Sequence, residues 1–176
     1  MAAGQRQNLG AAVTRIGVTG HQRLEEPAAW PWVEEAISRE LDAAPKPLVV
    51  VTSLAIGADQ LVARLGTARG ATVHVVLPFA DIERKFAAED LPAYRQLVSR
   101  ASVEILRTPG TDEDAYMAAG RRVAELSDVL IAVWDAKPAK GKGGTADVVA
   151  YAVACGVPVV HINPVQRTVT RMQPLK

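Results

Sequence analysis

A single cysteine, Cys155, leaves the chain without an internal disulfide and without any zinc site built from several cysteines. Aromatic residues are scarce, at 5% of 176 residues, and the formal net charge is only +1. A nucleic-acid binder needs a basic track and, for single strands, stacking rings, so both scarcities count against that class. No apolar run approaches the roughly 18 residues of a membrane span. The first residues, MAAGQRQNLGAA, carry no apolar core of a signal peptide. A soluble, cytoplasmic protein is the expectation. His74 and His161 have no neighbours at metal-ligand spacing, so no metal is assigned.

What is present is an ordinary packed composition, 49% hydrophobic and 22% charged. The length suits one domain. Strand-length apolar bursts recur at residues 13–18, 48–52, 72–77, 103–106, 129–134 and 157–162. They are rich in valine and isoleucine and do not alternate cleanly, which is the pattern of parallel strands buried on both faces. Helical stripes lie between them. Trp32, Val33, Ala36, Ile37 and Leu41 form one; Leu61, Val62 and Leu65 form another, ended by Gly70. Residues 92–100, the stripe Ala119, Val123 and Leu126, and the stripe Val148, Val149, Ala152 and Cys155 complete the set, the last closed by Gly156. On that stripe Cys155 reads as a core residue. Strand then helix, repeated, predicts a single α/β domain with an open, mostly parallel Rossmann-like sheet and helices on both faces. Residues 1–12 read as a flexible arm, 13–164 as the domain and 165–176 as a polar, basic tail.

In such sheets ligands bind beyond the carboxyl ends of the strands. Three junctions there are informative. The first strand runs into Thr19, Gly20, His21, Gln22 and Arg23, where Gly20 permits a sharp turn and His21 and Arg23 have the reach and chemistry to meet a phosphate or a base. The second runs through Ser53 and Gly57 into a helix whose first turn holds Asp59. Small residues there expose helix N–H groups to an anion, while Asp59 by itself reads most simply as a cap of the helix dipole. The fifth burst leads into a loop with Lys137, Lys140, Lys142, Gly141, Gly143 and Gly144, then Thr145 and Asp147. Glycines, a helix N-terminus and lysines together favour phosphate. The Gly-Lys-Ser/Thr ending of a Walker A loop is absent. Arg121 and Arg122 are candidates to balance a ligand's charge, with a solvated helix face as the equal alternative. Residues 79–89 read either as a lid or as plain packing.

These stretches resemble the SLOG superfamily, which includes the Lonely Guy phosphoribohydrolases and the Rossmann-like domain of DNA-processing protein A. The similarity is greatest to its YpsA-like branch. It covers roughly residues 14–164, through GVTGHQRL (17–24), SLAIGADQLVA (53–63), VVLPF (75–79), AGRRVAELSDVLIAVWD (119–135) and GKGGTADVVAYAVACGVPVVHINP (141–164). The resemblance implies a nucleotide or nucleotide-derived ligand, AMP or ADP-ribose for example, held between glycine-containing junctions. It also implies a homodimer, for which Trp30, Trp32 and the last helix are candidate contacts.

Three functions follow. The first is a nucleotide-binding sensor or carrier, using backbone N–H groups, the loop lysines, and Asp59 or Asp147 on a ribose. The second is a nucleoside 5′-monophosphate hydrolase, with Asp147 as catalytic carboxylate and Arg121 or Arg122 on phosphate. Here Asp147 lies two residues after Thr145, where the Lonely Guy loop has Glu three residues on, and the position of that family's arginine falls on Ala119. The third, single-stranded DNA binding, ranks last. All three require the Gly57 and Gly144 corners to converge on one rim.

Overall fold

A computed structural model describes residues 12–139 and 141–174. The N-terminal arm up to residue 11, and Lys140 of the glycine loop, lie outside the described residues. Along the chain come β1 (Thr14–Gly20), α1 (Trp30–Ala43), β2 (Leu48–Thr52), α2 (Ala58–Thr67), β3 (Thr72–Leu77) and α3 (Leu91–Val98). They are followed by β4 (Ser102–Ile105), α4 (Asp112–Glu125), β5 (Val129–Val133), α5 (Thr145–Ala154), β6 (Val159–Asn163) and β7 (Thr168–Met172). The seven strands form one sheet in the order β4-β3-β2-β1-β5-β6-β7. The first six are parallel, and β7 returns antiparallel to β6.

Both faces of the central strands are buried, which is why their apolar runs do not alternate. Val50 and Val75 belong to the core under α1, α2 and α3, whereas Val51 and Val76 belong to the core under α4 and α5. Leu130 and Ala132 face that second core, and Ile131 and Val133 the first. Helix ends follow local chemistry. At the start of α4, Thr111 and Asp114 form a reciprocal capping box, with Asp114 N–H donating to Thr111 Oγ1 at 3.2 Å and Thr111 N–H to Asp114 Oδ2 at 2.9 Å.

Two expectations change. Residues 168–172, taken as part of a tail, form β7. The strand is almost wholly exposed, so no apolar period marks it; its main-chain pairing with β6 and its Thr/Val content hold it in place. Its turn is built by buried Asn163, whose Oδ1 accepts the N–H groups of Val165 and Gln166, each at 3.0 Å. Cys155 is exposed rather than core, because α5 ends at Ala154 and the chain turns away at Cys155 and Gly156. The segment after β3 is packed. Ile82 is buried, and Phe86 lies 4.6 Å from the Tyr94 ring. Trp30 and Trp32 are half-buried against the first core.

The chain builds β1 to β4 on one side of β1, then crosses back to place β5 on its other side. The gap between the carboxyl ends of β1 and β5 is therefore the point where strand order reverses, the place such sheets offer to ligands.

Candidate functional site

The ends of β1, β2 and β5 are locked together with almost no side chain between them. His21 N–H donates to Val133 O at 2.9 Å, and Ala58 N–H donates to His21 O at 3.2 Å. A Cβ on Gly20 would come within 2.6 Å of Ala58 Cβ, and one on Gly57 within 2.4 Å of Gln22 O. Both glycines are thus required by close approach of backbones. A cleft of about 1000 Å³ opens beside this junction, at the upper end of the size range for small-molecule sites.

Gly20, His21 and Arg23 line the cleft from the β1 loop, Ser53 and Asp59 from the β2–α2 corner. Lys142, Gly143, Gly144 and Thr145 line it from the loop before α5. Two distant corners of the chain meet at one cleft. Gly57 does not line it; its part is to let the β1 loop sit on the start of α2. No helix among the described residues is long and apolar enough to cross a membrane. The described residues contain no group of three or more His, Cys, Asp or Glu side chains able to hold a metal.

Asp59 is a buried titratable group of the cleft. Thr52 Oγ1 donates to its Oδ2 at 2.9 Å and Ser53 N–H at 3.2 Å, while Leu54 N–H donates to Thr52 Oγ1 at 2.9 Å. Burial pushes the carboxyl up to about 7, against the pull of those hydrogen bonds. The corner is strained as well as braced: buried Leu54 has φ of 55°, a left-handed conformation that bulky side chains resist.

The lysine loop is more neutral than its sequence suggests. Lys137 Nζ contacts Glu25 Oε1 at 2.7 Å and Asp135 Oδ2 at 3.3 Å, and Lys142 pairs with Asp114. These pairs tie the loop to the β1 corner on one side and to α4 on the other. Lys142 and the Thr111 N–H and hydroxyl hold the Asp114 carboxyl far below the usual carboxylate range. Gly143, at φ of +83°, lies on α4 so closely that a Cβ would be 2.7 Å from Met117 N. Arg23 is a cleft cation with no ion-pair partner among the described residues.

The proposed hydrolytic residues do not gather here. Asp147 Oδ2 accepts Gly143 N–H at 3.0 Å, so its carboxylate closes its own loop. Arg121 lies over the Tyr151 ring at 5.0 Å. Arg122 pairs with Glu104 at 3.0 Å. Both arginines line a separate shallow depression on the flank of α4. Asp147 thus brackets its own loop, and Arg121 and Arg122 are engaged on the flank of α4. Asp147→Ala is accordingly expected to cost about 1 kcal/mol, as loss of a cap does, and to lower the melting temperature by about 2–4 °C in calorimetry.

Residues outside the sequence-based set complete the cleft. Asp135, two residues beyond the end of β5, contacts His21 Nε2 through Oδ1 at 3.0 Å. Its position just past an apolar burst, where a strand's carboxyl end was expected, was the available signal. Trp134, Tyr116 and Phe86 supply aromatic wall. Such residues cannot be paired across the chain without the topology.

No family model matches the chain, and no curated protein matches it in sequence. Solved structures share its fold, among them the following three. DNA processing protein A (DprA) from Streptococcus pneumoniae has 18% identity and a TM-score of 0.62, over 85% of this chain and 50% of that one. This chain thus spans half the length of the DprA chain. The structural-genomics target TM1055 has 19% identity and a TM-score of 0.52, over 83% of this chain and 72% of that one. The Moco carrier protein of Chlamydomonas rheinhardtii has 21% identity and a TM-score of 0.52, over 85% of this chain and 76% of that one.

Proposed function

We propose that this Rossmann-like chain, in keeping with its resemblance to SLOG proteins, binds a nucleotide or nucleotide-derived ligand in the β1/β5 cleft, as a sensor or carrier. The supporting observation is the meeting of the β1, β2 and α5 corners around one cleft of about 1000 Å³. The first-turn N–H groups of Thr145 and Ala146 lack intrahelical acceptors, as in any helix, and with Arg23 they suit a phosphate. Trp134, Tyr116 and Phe86 suit a base, which has an apolar face and a polar edge. Asp59 or Asp135 suits a ribose hydroxyl. The carrier named among the fold neighbours agrees with binding without turnover. The hydrolase reading gains nothing from the geometry, since Asp147, Arg121 and Arg122 are engaged elsewhere. A homodimer is part of the same proposal, with light scattering as its measure.

Thermal shift against AMP, ADP-ribose, NAD and cyclic nucleotides tests the reading. A ligand present at 100 times its dissociation constant adds about 2.7 kcal/mol. For a chain of this size that raises the melting temperature by roughly 5–10 °C. No shift from any of them at millimolar concentration would count the proposal out.

A further inference from the structure

His21 and Asp135 stand at the ends of the adjacent strands β1 and β5, on the two sides of the strand-order reversal. His21 Nε2 is 3.0 Å from Asp135 Oδ1 and 3.2 Å from the backbone N of the same residue. With a proton on Nε2 the ring donates to the carboxylate. Without it the ring accepts the Asp135 N–H. The imidazole therefore keeps a partner at Nε2 in either charge state. Asp135 is itself braced: Lys137 N–H donates to its Oδ1 at 3.1 Å. Burial works to raise the Asp135 carboxyl, but the Lys137 N–H and the His21 ring outweigh it and hold it below the usual carboxylate range. Nδ1 of His21 has no hydrogen-bond partner among the described residues, and the side chain, about one-third exposed at 30%, lines the cleft.

We propose that His21, positioned by Asp135, is the proton-exchanging contact of the cleft: it meets a phosphate group of the ligand as the imidazolium, and its proton is taken up as the ligand arrives. This rests on the nucleotide reading above and adds to it the ligand class: a phosphomonoester dianion is preferred over the uncharged nucleoside. A phosphate is largely dianionic above its second pKa of about 6, and a dianion is what a cationic ring at this position would hold most strongly. Other charges share the cleft. Arg23, Glu25 and Glu26 lie on the loop of His21, and Lys137 and Lys142 on that of Asp135. From α2 comes Asp59, which also titrates near neutrality, and the far wall adds Lys85 and Glu113.

Calorimetric titration of the full chain with AMP and with adenosine, at pH 6.5 and 8 in buffers of different ionisation heat, reads affinity and proton uptake together. One linked proton changes affinity by at most about 30-fold over that range. The expected result is about tenfold tighter AMP binding at pH 6.5, with proton uptake, and no comparable change for adenosine. His21→Gln removes the uptake. Asp135→Asn weakens it. Imidazole ¹⁵N spectra of the unaltered protein separate His21 from Asp59: AMP is expected to move the His21 nitrogens toward imidazolium while His74 and His161 stay still. AMP binding without movement at His21 overturns this inference and leaves the nucleotide reading standing. No binding of AMP or inorganic phosphate at pH 6.5 overturns the inference as well, and a blank thermal-shift panel then removes the reading beneath it.

Discussion

Gly57→Ala is expected to lower the melting temperature by about 10 °C and to spoil ligand binding in the same stroke. The residue sits at φ of 85° and ψ of −120°, a region that side chains avoid. Such strain costs about 1–3 kcal/mol. The new methyl would also lie 2.4 Å from Gln22 O and 2.5 Å from His21 O. Those oxygens cannot yield easily, because His21 O accepts Ala58 N–H and His21 N–H donates to Val133 O. Overpacking against fixed backbone adds another 1–3 kcal/mol or so. A total of about 3 kcal/mol, at about 2–4 °C per kcal/mol for a chain of this size, gives the expected shift. Gly70 is the internal control. Its φ is +80°, yet nothing lies within 4 Å of its would-be Cβ. Gly70→Ala should therefore cost only the conformational part, about 1 kcal/mol for a side chain in the left-handed region. Calorimetry of both variants reads the difference, and equal losses would mean that the β1 loop does not depend on the approach to α2.

That contrast explains how far the sequence could be read. The fold was legible because burial on both sheet faces imposes continuous apolar runs such as Val49–Val51 and Val129–Val133, and each helix carries its own stripe. The β7 strand was not, since an exposed strand has nothing to bury and leaves no period. The site was legible where backbone chemistry makes it. Glycines at 20, 57, 143 and 144 mark corners whatever the partners are. Partnership was not legible. Lys142 looks like a free cation until Asp114 is found beside it, 28 residues earlier in the chain. Asp147 looks like a catalytic carboxylate until Gly143 N–H is found on it. His21 and Asp135 are 114 residues apart and meet only because the chain crosses back over β1.

The second large effect concerns Asp59 and pH. The residue is 5% exposed, and burial pushes its carboxyl up to about 7 despite the Thr52 hydroxyl and Ser53 N–H. In the unfolded chain it titrates near 4. Between those values the folded protein holds a proton that the unfolded chain has lost, so raising the pH favours unfolding. The stabilisation is complete below about pH 4 and disappears as pH rises through 7. At no more than about 1.4 kcal/mol per pH unit, the loss from pH 5 to 8 should be roughly 2.5 kcal/mol. Carboxyls held low, Glu104, Asp114 and Asp135 among them, act in the opposite sense and only in the acid range, where their unfolded forms protonate. The window from 5 to 8 is thus free of them. Asp59→Asn keeps an oxygen for Thr52 and Ser53 to donate to while removing the titration, and the three histidines are common to both proteins. Urea unfolding at each pH should show a wild-type midpoint that falls relative to the variant's across that window. A constant difference would mean that Asp59 is ionised throughout, with its hydrogen bonds and the α2 N-terminus winning over burial. The outcome decides what an anion meets at this corner: a neutral acid below pH 7, which tolerates phosphate, or a fixed negative charge, which must face a hydroxyl instead.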